Sequence, residues 1–419
     1  MNLASFISSK LWYGRGNKGT KISTPVVKLA EVSVALGMSV MVVTLGIVTG
    51  FREEIRNRVT GLSGHILVLP YSNNNSFEQE PIKLSDSLIN DLSANPNIRF
   101  LQRYATKSAI IKTSYENQGI ILKGVDKHYH WEFLNQFITE GKIPDFKGKD
   151  PSTQIMVSQI IATKLGIHAG DNLITYFVGK KNSDSIGNSQ FVQRVRKFLV
   201  AGIYQTGFED VDNKIVFADL RQIQLLNHWD TSQSGAYEVE LHSFSQLDET
   251  VNIVQEKLGA RLEARSIKDI YSTIFSWLDL LNDNAIIIIF LMIVVSVINM
   301  ISAILFLILE SNHTIGVLKS LGAENILLQK VFLMQAGRIL MKGILFGNAI
   351  GLIVLALQWK FRIFSLNPET YYVSFVPVNL HFFDFMGVNI LSLVTCVLVM
   401  LIPVLIISKI HPVKTLRFK

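Results

Sequence analysis

AIIIIFLMIVVSVINMISAILFLIL, residues Ala285–Leu309, is a run without a single charge. A helix needs about 20 apolar residues to cross the ~30 Å hydrocarbon core of a bilayer, so this stretch reads as a membrane span. Met386–Ile407 is also charge-free, and a membrane helix tolerates its internal Pro403. Gly343–Trp359 is shorter, but an amphipathic lead-in from Ile326 extends it. A fourth run, Val32–Thr49, lies near the start, with Lys28 and Glu31 at its edge where side chains can snorkel. Thr49-Gly50-Phe51 followed by Arg52 is not a small-x-small cleavage site, so this run is expected to remain as a helix.

The layout predicts an α-helical membrane protein with four transmembrane helices and a large mixed α/β extracytoplasmic domain inserted between helices 1 and 2. The expected segments are a cytosolic N-terminal segment 1–25, helix 1 at 26–50, and a periplasmic domain at 51–284. Then come helix 2 at 285–309, a cytosolic segment 310–325, helix 3 at 326–359, and a short periplasmic loop 360–385. Helix 4 at 386–408 and a cytosolic tail 409–419 complete the chain.

Charge sets the orientation. The formal charge is +7, but residues 52–283 carry 25 Lys+Arg against 28 Asp+Glu, so the surplus lies elsewhere. Lys10, Arg15, Lys18, Lys21 and Lys28 precede the first run; Lys409, Lys414, Arg417 and Lys419 follow the last. Basic flanks favour the cytoplasmic side, which predicts two cytosolic termini. The basic residues border membrane helices, not a folded domain, so they argue for anionic lipid headgroups and against nucleic acid.

The inserted region is long enough for one or two packed lobes. The single cysteine, Cys396, lies in the last apolar run, so this region can form no internal disulfide. Strands are expected at Gly64–Leu69, in two stretches of Arg99–Lys123, and at Asn172–Val178, Lys197–Tyr204, Lys214–Ala218, Tyr237–Leu241 and Arg261–Ala264. Helices are expected at Leu84–Leu92 and Gln246–Leu258, with a strand-then-helix at Ile155–Leu165. Polar Gly179–Gln190 reads as a loop. The two ends of the region suggest one lobe, with a second, β-rich lobe inserted in it.

Catalytic patterns are missing. There is no Gly-x-x-x-x-Gly-Lys-Ser/Thr phosphate loop, so ATP hydrolysis is not expected of this chain. There is no His-Glu-x-x-His, and His128 and His130 have no evident third ligand, so no metal is expected. After the second run the chain reads ESNHTIGVLKSLGA, Glu310–Ala323. Ile315, Leu318 and Gly322 have the spacing of a short amphipathic helix, and small Gly316 and Gly322 would let a partner approach.

This stretch resembles the E-x-x-x-x-I-G-x-L-x-x-L-G-A signature of the FtsX/MacB-type ABC transporter permeases. Val48-Thr-Gly-Phe51 followed by Arg52 and Glu53, Leu165-Gly-Ile-His-Ala-Gly-Asp171, and Phe198-Leu-Val-Ala-Gly-Ile-Tyr-Gln-Thr-Gly207 followed by Asp212 resemble segments of the lipoprotein-releasing LolC/LolE branch. Asn299 followed by Ile301, and His411-Pro-Val-Lys-Thr-Leu-Arg417, resemble others. Asn312 stands where that family commonly has a basic residue, and Gly179–Gln190 lacks the prolines of the LolC-type hook.

The resemblance implies a multi-pass bacterial inner-membrane permease that is not itself an enzyme. It would work with a cytosolic ABC ATPase subunit that holds the ATP, and this chain would bind no cofactor. A second permease copy or paralogue, lipoprotein substrates, a periplasmic lipoprotein carrier and membrane lipid would be its partners. Coupling to the ATPase would fall to Glu310, Ile315, Gly316, Leu318, Lys319, Leu321 and Gly322. Competing readings are a mechanotransmitting permease for efflux or cell-wall hydrolase control, and a ligand sensor. A sensor should carry a cytosolic signalling domain, and neither terminal segment is long enough for one.

Two features lie within the spans. Gly343, Gly347 and Gly351 recur every four residues and should form a close-packing helix face. Ser296, Asn299 and Ser302 are three apart and are expected along one face, where polar groups meet protein or a cavity. The family resemblance implies a lipid cavity there, lined by Met38, Val42 and Leu45 of helix 1 and by Ile298, Asn299 and Leu305 of helix 2.

Overall fold

The structure, a computed structural model, describes residues 23–71, 79–113, 116–180 and 191–405. In chain order the elements are α1 (Ser23–Ser63), β1 (Ile66–Pro70), α2 (Asp86–Ser93), β2 (Ile98–Lys112), β3 (Asn117–Val125), α3 (Glu132–Asn135), β4 (Ile138–Gly141) and β5 (Gln154–Ser158). There follow α4 (Gln159–Leu165), β6 (Asn172–Lys180), β7 (Phe191–Tyr204), α5 (Glu209–Asp212), β8 (Ile215–Asp219), α6 (Leu220–Asn227), β9 (Ala236–Leu241), α7 (Leu247–Lys257) and β10 (Leu262–Ser266). The chain ends with α8 (Ile267–Ile270), α9 (Ser272–Glu310), α10 (Asn312–Ser320), α11 (Asn325–Phe361), α12 (Pro368–Tyr371) and α13 (Phe382–Leu405).

The chain divides into two compact units. One holds residues up to Glu53, Trp277–Ser365 and Phe375 onward; the other holds Glu54–Ser276 and Leu366–Ser374. Among the described residues four helices are long and apolar enough to cross a membrane: α1, α9, α11 and α13.

All four helices pass an expected boundary, α11 (Asn325–Phe361) and α13 (from Phe382) by a few residues and the other two by much more. The first was expected to end at residue 50, but α1 continues to Ser63. Charge ends an apolar run without ending a helix. Glu54 and Arg58 pair at 2.8 Å across one turn, and Ile55, Val59 and Leu62 are buried at helical spacing. Gly64, at φ +72°, stops α1. The second span was expected from 285, but α9 begins at Ser272 and already buries Ile274 and Leu278.

The α/β unit is a single ten-stranded sheet, not two separate lobes. Both ends of the inserted region do meet, in the order β10-β1-β9-β2. The middle then closes on itself. β2 pairs β3, β3 pairs β8, β8 touches β5, β5 pairs β7, β7 pairs β6, and β6 returns to β2. Closure removes exposed strand edges. Fifteen-residue β2 makes it possible, because its first half pairs β9 and its second half belongs to the ring. Every second residue points inward: Ala105, Ala109 and Ile111 on β2, Ile120 and Leu122 on β3, Phe198 and Val200 on β7, Val216 and Ala218 on β8. The predicted polar loop is shortened, since β6 runs to Lys180 and β7 starts at Phe191; residues 181–190 lie outside the described ones.

Candidate functional site

The glycine stripe of α11 packs directly on α1. A methyl group added at Gly347 would lie 2.5 Å from the Ala35 carbonyl oxygen and 2.6 Å from Met38 Cβ. At Gly343 it would lie 2.6 Å from Val34 Cγ1, and at Gly351 3.0 Å from Val42 Cβ. Backbones this close make many dispersion contacts, which drive helix association where water does not. From the other side, Gly46 of α1 receives the Leu355 side chain, and Gly37 receives the Ser296 hydroxyl. Asn348 donates to Asn389 at 2.7 Å, tying α11 to α13.

This packing corrects the expected lipid cavity. Met38 and Val42 are fully buried, in a core shared with Ile293, Leu355 and Val388. They face the glycine stripe and line no open wall. Leu45 packs against the same core. The outward side of α1 is Leu29, Val32 and Leu36, each more than 60% exposed. Ile298 is exposed, while Asn299 and Leu305 are half-buried. The three polar residues of α9 do not share a face either. Steps of three drift by 60° each on a 3.6-residue helix. Ser296 is therefore buried against α1, whereas Ser302 is exposed and donates to the Ile298 carbonyl at 3.0 Å.

The expected coupling segment is helical as α10. Ile315 and Gly316 turn inward, with Ile315 in a core of Ile308, Leu328 and Phe332. Gly316 is thus unavailable to a partner in this chain. Leu318 packs against the same core. Lys319 is half-buried, and desolvation pulls its ammonium below the usual lysine range. Glu310, Leu321 and Gly322 are exposed, with Val317 and Ile326 beside them in sequence. Gly322 has φ +89° and ends α10 in a Schellman turn. Its N–H donates to Lys319 O at 3.1 Å, and Ala323 N–H donates to Leu318 O at 3.0 Å. The requirement for glycine is therefore conformational: nothing lies within 4 Å of its missing side chain.

In the α/β unit the tail of α1 is gripped by groups that sequence reasoning did not single out. Lys123 Nζ pairs with Glu238 at 2.6 Å and donates to Leu62 O at 2.9 Å. Both charges are buried, and Gln102 donates to the second Glu238 oxygen at 2.9 Å. The rings of Tyr104, Tyr129 and Phe217 surround the ammonium at 5.0–5.9 Å. Leu62 is in the last turn of α1, where a cation meets the negative end of the helix dipole. Arg58 donates to Thr206 O at 2.5 Å, and Gly61 faces the Phe133 ring. Asp212 accepts from Thr206 Oγ1 at 2.7 Å and from Gly207 N–H at 2.9 Å, with Gly207 at φ +73°. Burial still lifts the Asp212 carboxyl above the usual aspartate range, against those hydrogen bonds and nearby Arg58. The Phe198–Gly207 segment and Asp212 thus serve the closed sheet and the grip on α1.

Comparisons with known proteins agree with this architecture. Residues 29–257 match the family described as MacB-like periplasmic core domain, and residues 286–412 match FtsX-like permease C-terminal. The chain belongs to the FtsX/MacB-type permeases. It is similar to the lipoprotein-releasing system transmembrane protein LolE of Haemophilus influenzae, at 23% identity over 99% of each chain. It is also similar to the LolC protein of Xylella fastidiosa, at 21% identity over 92% of each. The solved periplasmic region of MacB from Actinobacillus actinomycetemcomitans covers 50% of this chain and 91% of its own, at 12% identity and a TM-score of 0.34. The permease is a multi-pass membrane protein with an α/β domain between its first and second spans.

Proposed function

We propose that this permease extracts lipoproteins from the outer leaflet of a bacterial inner membrane and passes them to a periplasmic carrier. A separate cytosolic ATPase binds and hydrolyses the ATP, and a second permease copy or paralogue completes the membrane unit. The observation that carries the reading is the near-full-length similarity to two lipoprotein-releasing system proteins. The physics fits: each buried acyl CH₂ contributes about 0.8 kcal/mol, so withdrawing a multi-acylated anchor needs an external energy source.

The acyl chains would lie on the outward apolar faces of α1 and α9. These are Leu29, Val32 and Leu36 on α1, and Leu291, Val295 and Ile298 on α9, all exposed. A photo-crosslinker at Leu36 or Ile298 is expected to capture a triacylated lipoprotein in the nucleotide-free complex and to lose it with ATP. Capture of non-lipidated partners alone, or capture indifferent to nucleotide, would shift the function to mechanotransmission.

Coupling would use the exposed tip of α10. Gly322→Trp is expected to abolish lipoprotein-stimulated ATP hydrolysis in the reconstituted complex while leaving membrane insertion intact. Gly322→Asn should retain part of it, because asparagine tolerates left-handed backbone better than tryptophan does. Full stimulation in the tryptophan variant would remove this turn from the mechanism. Orientation is tested by labelling. In a Cys396→Ala background, Ser374→Cys should react with an impermeant thiol reagent from the periplasm and Ser311→Cys should not; the reverse pattern would overturn the topology.

A further inference from the structure

The α/β unit holds a polar cleft that the proposed transport cycle does not use. Its volume is about 660 Å³, within the range of small-molecule sites. The last turns of α1 form one wall, with Arg56, Asn57 and Thr60. The start of β2, the segment 130–136 around α3, and residues 240–244 at the end of β9 form the others. Antiparallel pairing of β2 with β9 sets Phe100 beside Glu240, which brings two of these walls together.

The charges of the cleft cancel. Arg99 donates to Glu132 at 3.2 Å, Glu240 stands 3.0 Å from His65 Nδ1, and the Arg56 guanidinium lies 5.0 Å over the Phe244 ring. Two guanidiniums against two carboxylates leave no net formal charge with the histidines neutral, so neither an anion nor a cation is selected. Hydrogen-bonding capacity is what remains open. The side chains of Asn57, His130, Gln136 and His242 are exposed and make no hydrogen bond among the described residues. They reach this one cleft from three separate segments. An amide and a neutral imidazole each both donate and accept, as a hydroxyl does. The His130 ring also stacks on Phe100, with centroids 3.8 Å and planes 17° apart. A flat stacked pair offers a π surface to weakly positive C–H groups.

We propose that this cleft binds a neutral saccharide, its hydroxyls held by Asn57, Gln136 and His242 and one ring face laid on His130, which Phe100 backs. Adjacent sugar hydroxyls match side chains that donate and accept at once, and the C–H face of a pyranose matches the stacked rings. A peptide fits less well. Extended chains dock on open strand edges with pockets for their side chains, whereas β2 and β9 are here paired with each other. The site is separate from lipoprotein extraction and does not depend on it.

The test uses the full-length protein in a polyoxyethylene detergent, because maltoside and glucoside detergents carry the proposed ligand class themselves. Saturation-transfer NMR is run with maltotriose and N,N′,N″-triacetylchitotriose, and with trialanine and glycerol as non-saccharide probes. Transfer to at least one trisaccharide is expected, strongest on the C–H protons of one ring face. Asn57→Ala/Gln136→Ala removes two hydrogen-bonding amides and should weaken Kd by on the order of tenfold. His130→Ala should abolish the ring-face pattern, and Asn252→Ala, on α7 and outside the cleft, should change nothing. The amides are exposed, so the double variant should keep the parent's melting temperature, which separates lost binding from misfolding. His242→Ala, in another segment, should by itself weaken Kd several-fold. No transfer to either trisaccharide, transfer untouched by the cleft variants, or equal transfer to trialanine or glycerol would each overturn the proposal.

Discussion

Lys123→Met is expected to destabilise the α/β unit by about 3–5 kcal/mol, the cost of stranding a buried charge without its partner. Glu238 is 2% exposed and would keep only the Gln102 amide. The Leu62 carbonyl, at the end of α1, would lose its cation as well. For a unit of this size such a loss lowers the melting temperature by roughly 10 °C. The double variant Lys123→Met/Glu238→Leu should recover most of it, because apolar side chains often replace a buried ion pair at little cost. Thermal unfolding followed by tryptophan fluorescence reads both. A single variant as stable as the parent, or a double variant no better than the single, would show that the pair does not hold this unit.

The second large effect lies in the bundle. Gly347→Leu must displace the Ala35 carbonyl and Met38, at 2.5 and 2.6 Å from the new Cβ. A backbone carbonyl cannot swing aside as a side-chain end can, so α1 and α11 must separate. Overpacking of this kind costs typically about 1–3 kcal/mol, and more when backbone is involved. Gly387→Leu on α13 is the control, since a Cβ added there meets nothing within 4 Å. The melting temperature in detergent should fall by several degrees for the first variant and stay put for the second. Equal behaviour of the two would mean that the stripe is not a packing surface.

The physical character of each signal explains which readings carried through to the structure. The four spans were legible because crossing a bilayer is a demand on local composition: enough apolar residues in a row, with charges at the ends. Most strands of the sheet were legible because inward and outward residues alternate within a few positions, as in Phe198 and Val200. β4 was missed, because Ile138–Gly141 is short and lacks that alternation. The glycine turns at Gly64 and Gly322 lie where periodic segments stop, but their φ values of +72° and +89° come only from the folded backbone.

By itself, then, the chain determined how many apolar helices it has, where the inserted α/β region lies, and that Gly343, Gly347 and Gly351 share a face. These depend on neighbours in sequence. Only the tertiary structure decided that Met38 and Val42 face protein while Leu36 faces outward, for inside a bilayer lipid and protein are equally apolar and hydropathy cannot rank them. Only it closed β2 back onto β6 and brought Lys123 to Glu238, 115 positions apart. Neither contact leaves a local trace, because each strand is amphipathic alone and each charge looks like an ordinary surface residue. They become specified only when the whole sheet has formed and the desolvated charges have no other partner.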